Sequence, residues 1–281
     1  MTHNLTDDDI GYVSDLVREA GKLAASMREG VFVQDKSDTD PHDKVTEADF
    51  ALSRLIVSRL SARFPTDVII SEEDANHPIV AHTGAWLVDP IDGTDNYISN
   101  DGQYAVMIGL IVNSEPVYGW VYAPARDDLY YGGPNCGAWR VKGTAPAERF
   151  QPLRSLNLSD QARVTMGFRD RTSHPWVKEH PQVVLVKAGS IGLKVAKVLE
   201  DEADIFVHLS GKLKTWDTAG PTAIALGAGL DVGRLDADGL PFDLSNIRQE
   251  CSVIIGRPGA LSWSRTHLRH PEKVSADGVN H

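Results

Sequence analysis

Cysteine is scarce in this chain, which has only two among its 281 residues, Cys136 and Cys251. Two cysteines are too few for the disulfide framework that stabilises many small secreted proteins, and the scarcity is typical of a reducing compartment. We therefore predict a cytoplasmic location. We interpret both thiols as small buried hydrophobes rather than as reactive groups.

Long apolar runs are also missing, since no stretch of the sequence is long enough to cross a bilayer. The first nine residues are acidic and lack the apolar segment of a signal peptide. These two absences predict a protein that has no membrane partner.

Positive charge is in deficit, because 28 Lys and Arg residues face 39 Asp and Glu residues, for a net charge of −11. This balance argues against nucleic-acid polymers and anionic membranes as partners. A small anionic substrate stays compatible with it, because bound cations reverse the local field. The hydrophobic content of 42% over 281 residues predicts a large core near the upper size of one compact domain.

Periodicity divides the chain into helices and strands. Apolar residues at helical spacing predict helices near the N-terminus and from about residue 45 to 64. Four β-rich runs punctuated by Gly, Pro and Asn predict an antiparallel meander, and a strand–helix alternation follows it. The predicted meander strands are 104–112, 117–123, 129–132 and 138–141, and the later elements are strands 164–167, 183–186, 205–209 and 253–255 with a helix at 191–199.

The most informative segment is the hexapeptide DPIDGT, residues 89–94, which follows a short apolar run that predicts a buried strand. We expect a turn here, stiffened by Pro90 and permitted by Gly93, that directs Asp89 and Asp92 at one point. Carboxylate oxygens in such a position suit hard cations such as Mg²⁺. The segment therefore predicts a metal-dependent phosphatase, although the same residues are also ordinary turn formers.

The backbone N–H groups of Gly93 and Thr94 lie just beyond the two carboxylates, where a phosphate could be cradled. Two further acidic positions strengthen the interpretation. Glu72 follows an apolar run at 68–70, so it ends a buried-looking strand as the hexapeptide does. Asp217 should lie near a helix N-terminus, because a proline four residues later is tolerated only in a first turn. Taken singly, Glu72 is typical of a solvated surface and Asp217 is typical of a helix N-cap.

Glu72-Glu73, the DPIDGT hexapeptide and Trp216-Asp217 occur in the order and rough spacing of the inositol monophosphatase superfamily, which this chain resembles from about residue 7 to about residue 256. That superfamily comprises lithium-sensitive, magnesium-dependent phosphomonoesterases. The resemblance implies an α/β fold, a layered α-β-α-β-α sandwich of the inositol monophosphatase or fructose-1,6-bisphosphatase type. It further implies an N-terminal α+β half with most of the ligands and a C-terminal α/β half, with the site in the cleft between them. The expected boundaries are 1–153, 154–258 and a loose tail at 259–281.

The resemblance also implies a ligand set for two Mg²⁺ ions about 3.5–4 Å apart, with a third, weaker ion left open. Glu72, Asp89 and the backbone carbonyl of Ile91 would hold the first ion. Asp89, Asp92 and Asp217 would hold the second, with Asp89 bridging. Water on the first ion would then attack phosphorus, with Glu72 counted among the catalytic residues.

Two compatible interpretations apply to Asp49. The segment Thr46-Glu47-Ala48-Asp49 is typical of a capping box at the start of a helix. By resemblance, Asp49 and Thr94 align the attacking water and accept its proton. One residue can serve both purposes.

Details of the sequence are more similar to the 3′(2′),5′-bisphosphate nucleotidase branch (CysQ type) of the superfamily than to inositol phosphatases. Ser173-His174 matches a pair used on the nucleotide side, and Gly189-Ser190 with Lys194 matches a segment whose lysine meets a second phosphate. The plain alternatives are a loop turn at Ser173-His174 and a solvated helix face at Lys194. The substrate-binding residues that the resemblance implies are Asp92, Gly93, Thr94, Ser173, His174, Gly189, Ser190, Lys194 and Asp217.

Other positions depart from that branch. His208 lies near a position where many members carry an arginine, and the loop 212–214, Lys-Leu-Lys, is the candidate to replace it. The segment Asp95-Asn96-Tyr97 leans towards inositol and fructose-bisphosphate phosphatases. We therefore expect hydrolysis of adenosine 3′,5′-bisphosphate or its sulfated form, within sulfur metabolism. An inositol-1-monophosphatase or broad sugar-phosphate phosphatase is the alternative, a non-catalytic regulator is a distant third, and a homodimer is left open.

Overall fold

The computed structural model of the chain describes residues 5–28, 33–35, 44–74 and 84–269. Helices and strands within these ranges are numbered in chain order. The helices are α1 (Asp7–Ser26), α2 (Glu47–Arg63), α3 (Thr94–Ser99), α4 (Phe168–Ser173), α5 (Pro175–Glu179), α6 (Ile191–Leu199), α7 (Thr215–Gly227) and α8 (Ala260–His267). The strands are β1 (Val33–Asp35), β2 (Lys44–Thr46), β3 (Val68–Ser71), β4 (Gly84–Asp92), β5 (Ala105–Val112), β6 (Glu115–Ala123), β7 (Asp128–Gly133), β8 (Gly137–Lys142), β9 (Glu148–Arg149), β10 (Ala162–Met166), β11 (Val183–Val186), β12 (Ile205–His208), β13 (Leu213–Lys214), β14 (Asp231–Gly233), β15 (Arg248–Gln249) and β16 (Val253–Gly256).

A seven-stranded sheet in the order β3-β4-β5-β6-β7-β8-β9 forms the first layer of strands. β3 and β4 are parallel, and the remaining neighbours are antiparallel, which confirms the predicted meander. α1 and α2 cover one face of this sheet. Their buried side chains join Trp86 and Trp120 of the sheet in one core, because the apolar residues of α1 recur at helical spacing.

α7 lies against the other face of this sheet at unusually short range. A Cβ atom added to Gly119 of β6 would lie 2.1 Å from the carbonyl oxygen of Gly220 in α7. A Cβ on Gly109 of β5 would come within 2.5 Å of the Ala219 Cβ. Only glycine permits this approach, so the sheet fixes the position of α7 and of the carboxylate at its start.

A second sheet of five strands, in the order β11-β10-β12-β16-β14, packs beyond α6 and α7. β11, β10 and β12 are parallel, and β16 runs antiparallel to both β12 and β14. Trp263 of α8 and Val177 of α5 are buried against its outer face. The layers therefore follow the order helix, sheet, helix, sheet, helix, which confirms the expected α-β-α-β-α sandwich.

Most elements agree with the sequence, and the helix at 191–199 has the predicted bounds. The predicted loose tail is wrong at 260–267, because these residues form α8, which begins after the left-handed Gly259 and buries Trp263 completely. Residues 270–281, with His270 and His281, lie outside the described residues. The division into two halves near residue 153 stays a prediction.

The structure shows how exposed the two cysteines are and whether a helix could span a membrane. Cys136 is exposed and Cys251 is partly buried, so the interpretation of both as buried hydrophobes is wrong for Cys136, which lies in the turn between β7 and β8. Within the part of the chain that the structure describes, no helix combines the length and the apolar character that a membrane span needs.

Candidate active site

Two acidic residues meet where the parallel strands β3 and β4 end. Ser71 pairs with Val88 in the ladder, and the N–H of Glu72 donates to the carbonyl of Val88 at 3.0 Å. Glu72 therefore lies beside Asp89 at the carboxyl edge of the sheet. The Asp89 side chain is almost fully buried, and Glu72 is partly exposed.

A β-bulge brings the second carboxylate of the hexapeptide into the same edge. Asp89 pairs with Met107 and Asp92 with Ala105, so β4 carries one more residue than β5 across this step. Pro90 lies in the bulge, where its missing N–H breaks no ladder bond. The predicted turn is therefore wrong at 89–92, because both acids lie on an extended, bulged strand. That the two carboxylates are directed at one point stays a prediction.

The change of direction comes one residue later, at Gly93. This residue has φ of +92° and forms the N-cap of α3, and its carbonyl accepts the N–H groups of Asn96 and Tyr97 at 2.9 Å. The Tyr97 hydroxyl in turn donates to the carbonyl of Ala24 at 2.8 Å, which ties α3 to α1. A left-handed glycine thus places Thr94 at the first helical position.

Asp49 has the expected capping environment, and it also lies near Thr94. Its Oδ2 atom accepts the N–H of Thr46 at 2.8 Å and the Thr46 hydroxyl at 2.6 Å, which confirms the capping box. Its Oδ1 atom lies 3.5 Å from the hydroxyl of Thr94, which is also 3.3 Å from the carbonyl oxygen of Ile91. The cap holds the carboxylate still, so that it faces Thr94 in a fixed direction.

Asp217 is the third residue of α7 and reaches back to its start. Its Oδ2 atom accepts the N–H of Lys214 at 2.7 Å, so the N-cap reading is wrong, although the position near the helix N-terminus is confirmed. The expectation that Pro221 lies in the first turn is also wrong, because it is the seventh residue of the helix. Pro221 lacks the N–H that would bond to the Asp217 carbonyl. The buried packing of α7 keeps the helix intact despite that loss.

The carboxylates share a strongly negative environment. Burial raises the pKa of Asp217 to about 8, and the Glu72 and Asp92 carboxylates add to that rise. Burial also raises the pKa of Asp92, against the opposing effect of Lys194. Glu72 and Asp217 therefore repel each other, and a cation placed between them would relieve the repulsion.

The donor set is that of a hard-cation site, since carboxylate and carbonyl oxygens are the ligands that Mg²⁺ prefers. Within residues 5–28, 33–35, 44–74 and 84–269, no three carboxylate, imidazole or thiol groups enclose a point as a finished metal cage would. Asp92 and Asp217 instead each direct an oxygen at a backbone N–H. The residues present thus fit Mg²⁺ by their chemistry and shared charge.

The start of α6 is held against the hexapeptide. Ser190 is the N-cap, and its hydroxyl accepts the N–H of Leu193 at 3.0 Å. The N–H of Gly192 donates to Asp92 Oδ2 at 2.7 Å, and the N–H of Ser190 donates to the carbonyl of Gln103 at 3.0 Å. The structure therefore brings the predicted segment at 189–194 to Asp92, which lies about 100 residues earlier in the chain.

Lys194 is buried, with 4% of its surface exposed, so the solvated-face alternative is wrong. Its ammonium group donates to the carbonyl of Gly189 and lies close enough to Asp92 for the two charges to interact. Burial lowers the pKa of Lys194 to about 8, although Asp92 acts to raise it. A buried ammonium group therefore lies near the acidic cluster of Glu72, Asp92 and Asp217.

The predicted pair Ser173-His174 ends α4 and caps α5, so it is part of two short helices rather than a plain loop turn. His174 Nδ1 lies 3.0 Å from the carbonyl oxygen of Asp170. Sequence reasoning missed Asp170, whose signal was the four-residue spacing to His174 on one helix face. Its charge acts on Lys194, so this group of residues lies near the start of α6.

His208 cannot replace the missing arginine, because its ring is engaged within the protein. Its Nε2 atom accepts the N–H of Lys212 at 3.2 Å and lies 3.2 Å from the Ser210 hydroxyl, while Nδ1 faces the Asp170 carboxylate at 3.5 Å. Burial lowers the pKa of His208, which favours the neutral ring.

Comparison with known proteins agrees with this geometry. Residues 9–268 match the model of the inositol monophosphatase family. The chain is 30% identical over 231 residues to the 3′(2′),5′-bisphosphate nucleotidase CysQ of Aggregatibacter actinomycetemcomitans, covering 78% of this chain and 79% of that protein. It is 28% identical over 212 residues to the inositol-1-monophosphatase of Bacillus subtilis, covering 72% and 76%.

Solved structures share the fold. An IMPase/NADP phosphatase complexed with Mg²⁺ and phosphate superposes with a TM-score of 0.77 at 19% identity, covering 96% of both chains. The family match spans nearly the whole chain, and the acidic cluster lies within it. The chain belongs to the inositol monophosphatase family of metal-dependent phosphatases.

Proposed function

We propose that this chain is a Mg²⁺-dependent phosphomonoesterase that removes the 3′-phosphate of adenosine 3′,5′-bisphosphate or of its sulfated form, in the cytoplasm and within sulfur metabolism. The observation that carries the proposal is Lys194, a buried ammonium group beside the carboxylates. A substrate with a second phosphate would add a further anionic partner for this cation, which already interacts with Asp92. The similarity to a bisphosphate nucleotidase supports the same choice.

In this proposal the acidic edge of β3 and β4 holds the metal ions. Glu72, Asp89 and the carbonyl of Ile91 would bind one ion, and Asp89, Asp92 and Asp217 a second, with a third left open. Bound Mg²⁺ supplies a more acidic water and neutralises charge on the phosphate. Lithium would inhibit the enzyme by binding at such a metal site.

The protein's own groups then align and deprotonate the water. The Thr94 hydroxyl lies between Asp49 and the Ile91 carbonyl, so it can accept a hydrogen bond from the water while it donates to one of them. Asp49, held by Thr46, is the acceptor for the proton. The left-handed Gly93 sets the direction in which the chain enters α3, and so places Thr94 at the first helical position.

A second candidate is an inositol-1-monophosphatase or a broad sugar-phosphate phosphatase. The segment Asp95-Asn96-Tyr97 favours it, as does the similarity to the Bacillus subtilis inositol-1-monophosphatase. A metal- and phosphate-binding regulator without turnover is disfavoured, because Glu72 and Asp217 are both in place beside the hexapeptide acids.

Replacement of the buried lysine tests the nucleotide proposal. In Lys194→Ala we expect KM for adenosine 3′,5′-bisphosphate to rise about 10- to 100-fold, the value of one charge-assisted hydrogen bond, with little change for myo-inositol 1-phosphate. Lys197→Ala is the matched control, because Lys197 is on the same helix but forms its ion pair with Glu202, which is not one of the predicted metal ligands. Equal effects of Lys194→Ala on both substrates would reject the proposed role.

A further inference from the structure

A hydrogen bond between two buried hydroxyl groups joins α2 to the end of β3. The Oγ atoms of Ser53 and Ser71 lie 2.8 Å apart, and either hydroxyl can be the donor. Ser53 has 4% of its surface exposed and Ser71 has 0%. A buried hydroxyl is costly without a partner, so this bond ties the helix to the strand.

The sheet fixes the Ser71 side of this bond. Ser71 pairs with Val88 in the parallel ladder of β3 and β4, and its N–H donates to Asp74 Oδ2 at 3.0 Å. Ile70 belongs to the same core as Trp216 of α7. Because side chains alternate along a strand, Ser71 points to the opposite face of the sheet, which α2 covers. The Ser71 hydroxyl is therefore a fixed point against which α2 is placed.

Both serines lie next to residues of the proposed reaction. Glu72 directly follows Ser71 in the chain. Asp49 precedes Ser53 by four residues, which places the two side chains one turn apart on the same face of α2. Asp49 is the proposed proton acceptor, and Glu72 is a proposed ligand of the metal ion that binds the water. The bond between the serines thus connects the two elements that carry these groups.

Apolar packing by itself does not fix this placement. Hydrophobic contact is non-directional, whereas a hydrogen bond between hydroxyls weakens once its length or angle departs from a narrow range. The Asp49 Oδ1 atom lies 3.5 Å from the Thr94 hydroxyl, which is already a long contact. A small shift of α2 along its axis would therefore separate Asp49 from Thr94. The apolar residues that α2 buries are Ala48, Leu52, Ile56 and Leu60.

We propose that Ser53 and Ser71 are positioning residues that hold the proton acceptor Asp49 in place relative to the metal ligand Glu72. Both hydroxyls are buried between α2 and the sheet, so neither touches the substrate. The pair acts on the alignment of the attacking water with its proton acceptor, which affects turnover rather than substrate binding. This inference rests on the metal-dependent hydrolysis in the proposed function, and it is the same for a nucleotide or an inositol phosphate.

A double-mutant cycle tests the proposal. In Ser53→Ala and in Ser71→Ala we expect kcat to fall about tenfold at unchanged KM, as a displacement of less than about 1 Å would cause. The double variant should also lose about tenfold rather than about a hundredfold, because either substitution alone breaks the bond. Thr165→Val is the matched control, since it removes a buried hydroxyl that lies 3.3 Å from the Ile205 carbonyl oxygen in the second sheet. Its kcat should stay at the wild-type value.

Binding of Mg²⁺ gives a readout that is independent of turnover. The N–H of Glu72 donates to the Val88 carbonyl, so the ladder holds Glu72 in place when α2 shifts. We therefore expect the Mg²⁺ concentration at half of the maximal rise in Tm to stay within about twofold of wild type in both single variants. The loss of kcat without a loss of Mg²⁺ binding would assign the effect to Asp49.

Wild-type kcat in both single variants would overturn the proposal, as would a loss in the double variant equal to the product of the two single losses. A fall in Mg²⁺ affinity that parallels the fall in kcat would also overturn it, because the whole site would then be disturbed. A wild-type enzyme that prefers myo-inositol 1-phosphate would instead contradict the proposed nucleotidase function, and the cycle would be measured with that substrate.

Discussion

Removal of Mg²⁺ should destabilise the protein by an amount that depends on pH. The cause is Asp217, whose pKa burial and the Glu72 carboxylate raise to about 8 from an ordinary value of 3.8. Between these two pH values the metal-free folded state binds more protons than the unfolded state. Its stability therefore falls as pH rises from about 4 to 8 and levels off above that range. A bound cation favours the carboxylate, so Mg²⁺ should stabilise more at pH 8 than at pH 6.

The magnitude follows from the linkage of binding to folding. At a Mg²⁺ concentration of about 100 times Kd, binding adds about 2.7 kcal/mol to the free energy of unfolding. A chain of 281 residues has an unfolding entropy of about 0.6 kcal/mol/K at its midpoint, from about 2.1 cal/mol/K per residue. The expected rise in Tm on addition of Mg²⁺ is therefore about 5 °C.

Thermal unfolding of wild type and Asp217→Asn, with EDTA or with Mg²⁺, at pH 6 and pH 8, makes the comparison. The amide in Asp217→Asn keeps an oxygen for the N–H of Lys214, so the variant should fold. We expect a larger Mg²⁺ shift at pH 8 in the wild type, and a small, pH-independent shift in the variant. Equal shifts in both proteins at both pH values would refute the reasoning.

Three further substitutions have separable outcomes. Asp92→Asn should reduce kcat at least a thousandfold because it removes a metal ligand, yet keep Tm, because its amide oxygen can still accept the Gly192 N–H; normal turnover would contradict the ligand set. Thr94→Val should lower kcat about a hundredfold at unchanged KM, as expected of a water-aligning hydroxyl; a rise in KM alone would argue against that role. Gly119→Ala should lower the free energy of unfolding by about 2 kcal/mol or more, because the added Cβ would lie 2.1 Å from the Gly220 carbonyl oxygen. Unchanged unfolding in urea would contradict the close approach of α7 to the sheet.

The acidic site could be predicted in large part from the sequence because its residues follow strands. Asp89 directly follows an apolar run and Glu72 follows one after a single serine, and adjacent parallel strands bring such positions together. The bulge at Pro90 could not be predicted, because a proline and a glycine in one hexapeptide are equally typical of a turn. Only the pairing with β5 distinguishes a bulged strand from a turn.

Tertiary packing accounts for the remaining errors. Pro221 stays inside α7 because that helix is enclosed between the two sheets, which outweighs the local preference against proline. α8 has a weak apolar pattern, and one buried Trp263 carries most of its packing. The Asp170 carboxylate contacts residues 38 to 40 positions later in the chain. Contacts at that separation cannot be predicted from spacing in the sequence.

The most direct test of the central claim is release of phosphate, in the presence of Mg²⁺, from adenosine 3′,5′-bisphosphate and from myo-inositol 1-phosphate, measured side by side. Our account predicts a higher kcat/KM for the nucleotide and no release once Mg²⁺ is chelated. A higher kcat/KM for inositol phosphate would contradict the assignment of the nucleotide, and would leave Lys194 as a structural counter-ion of the acidic cluster.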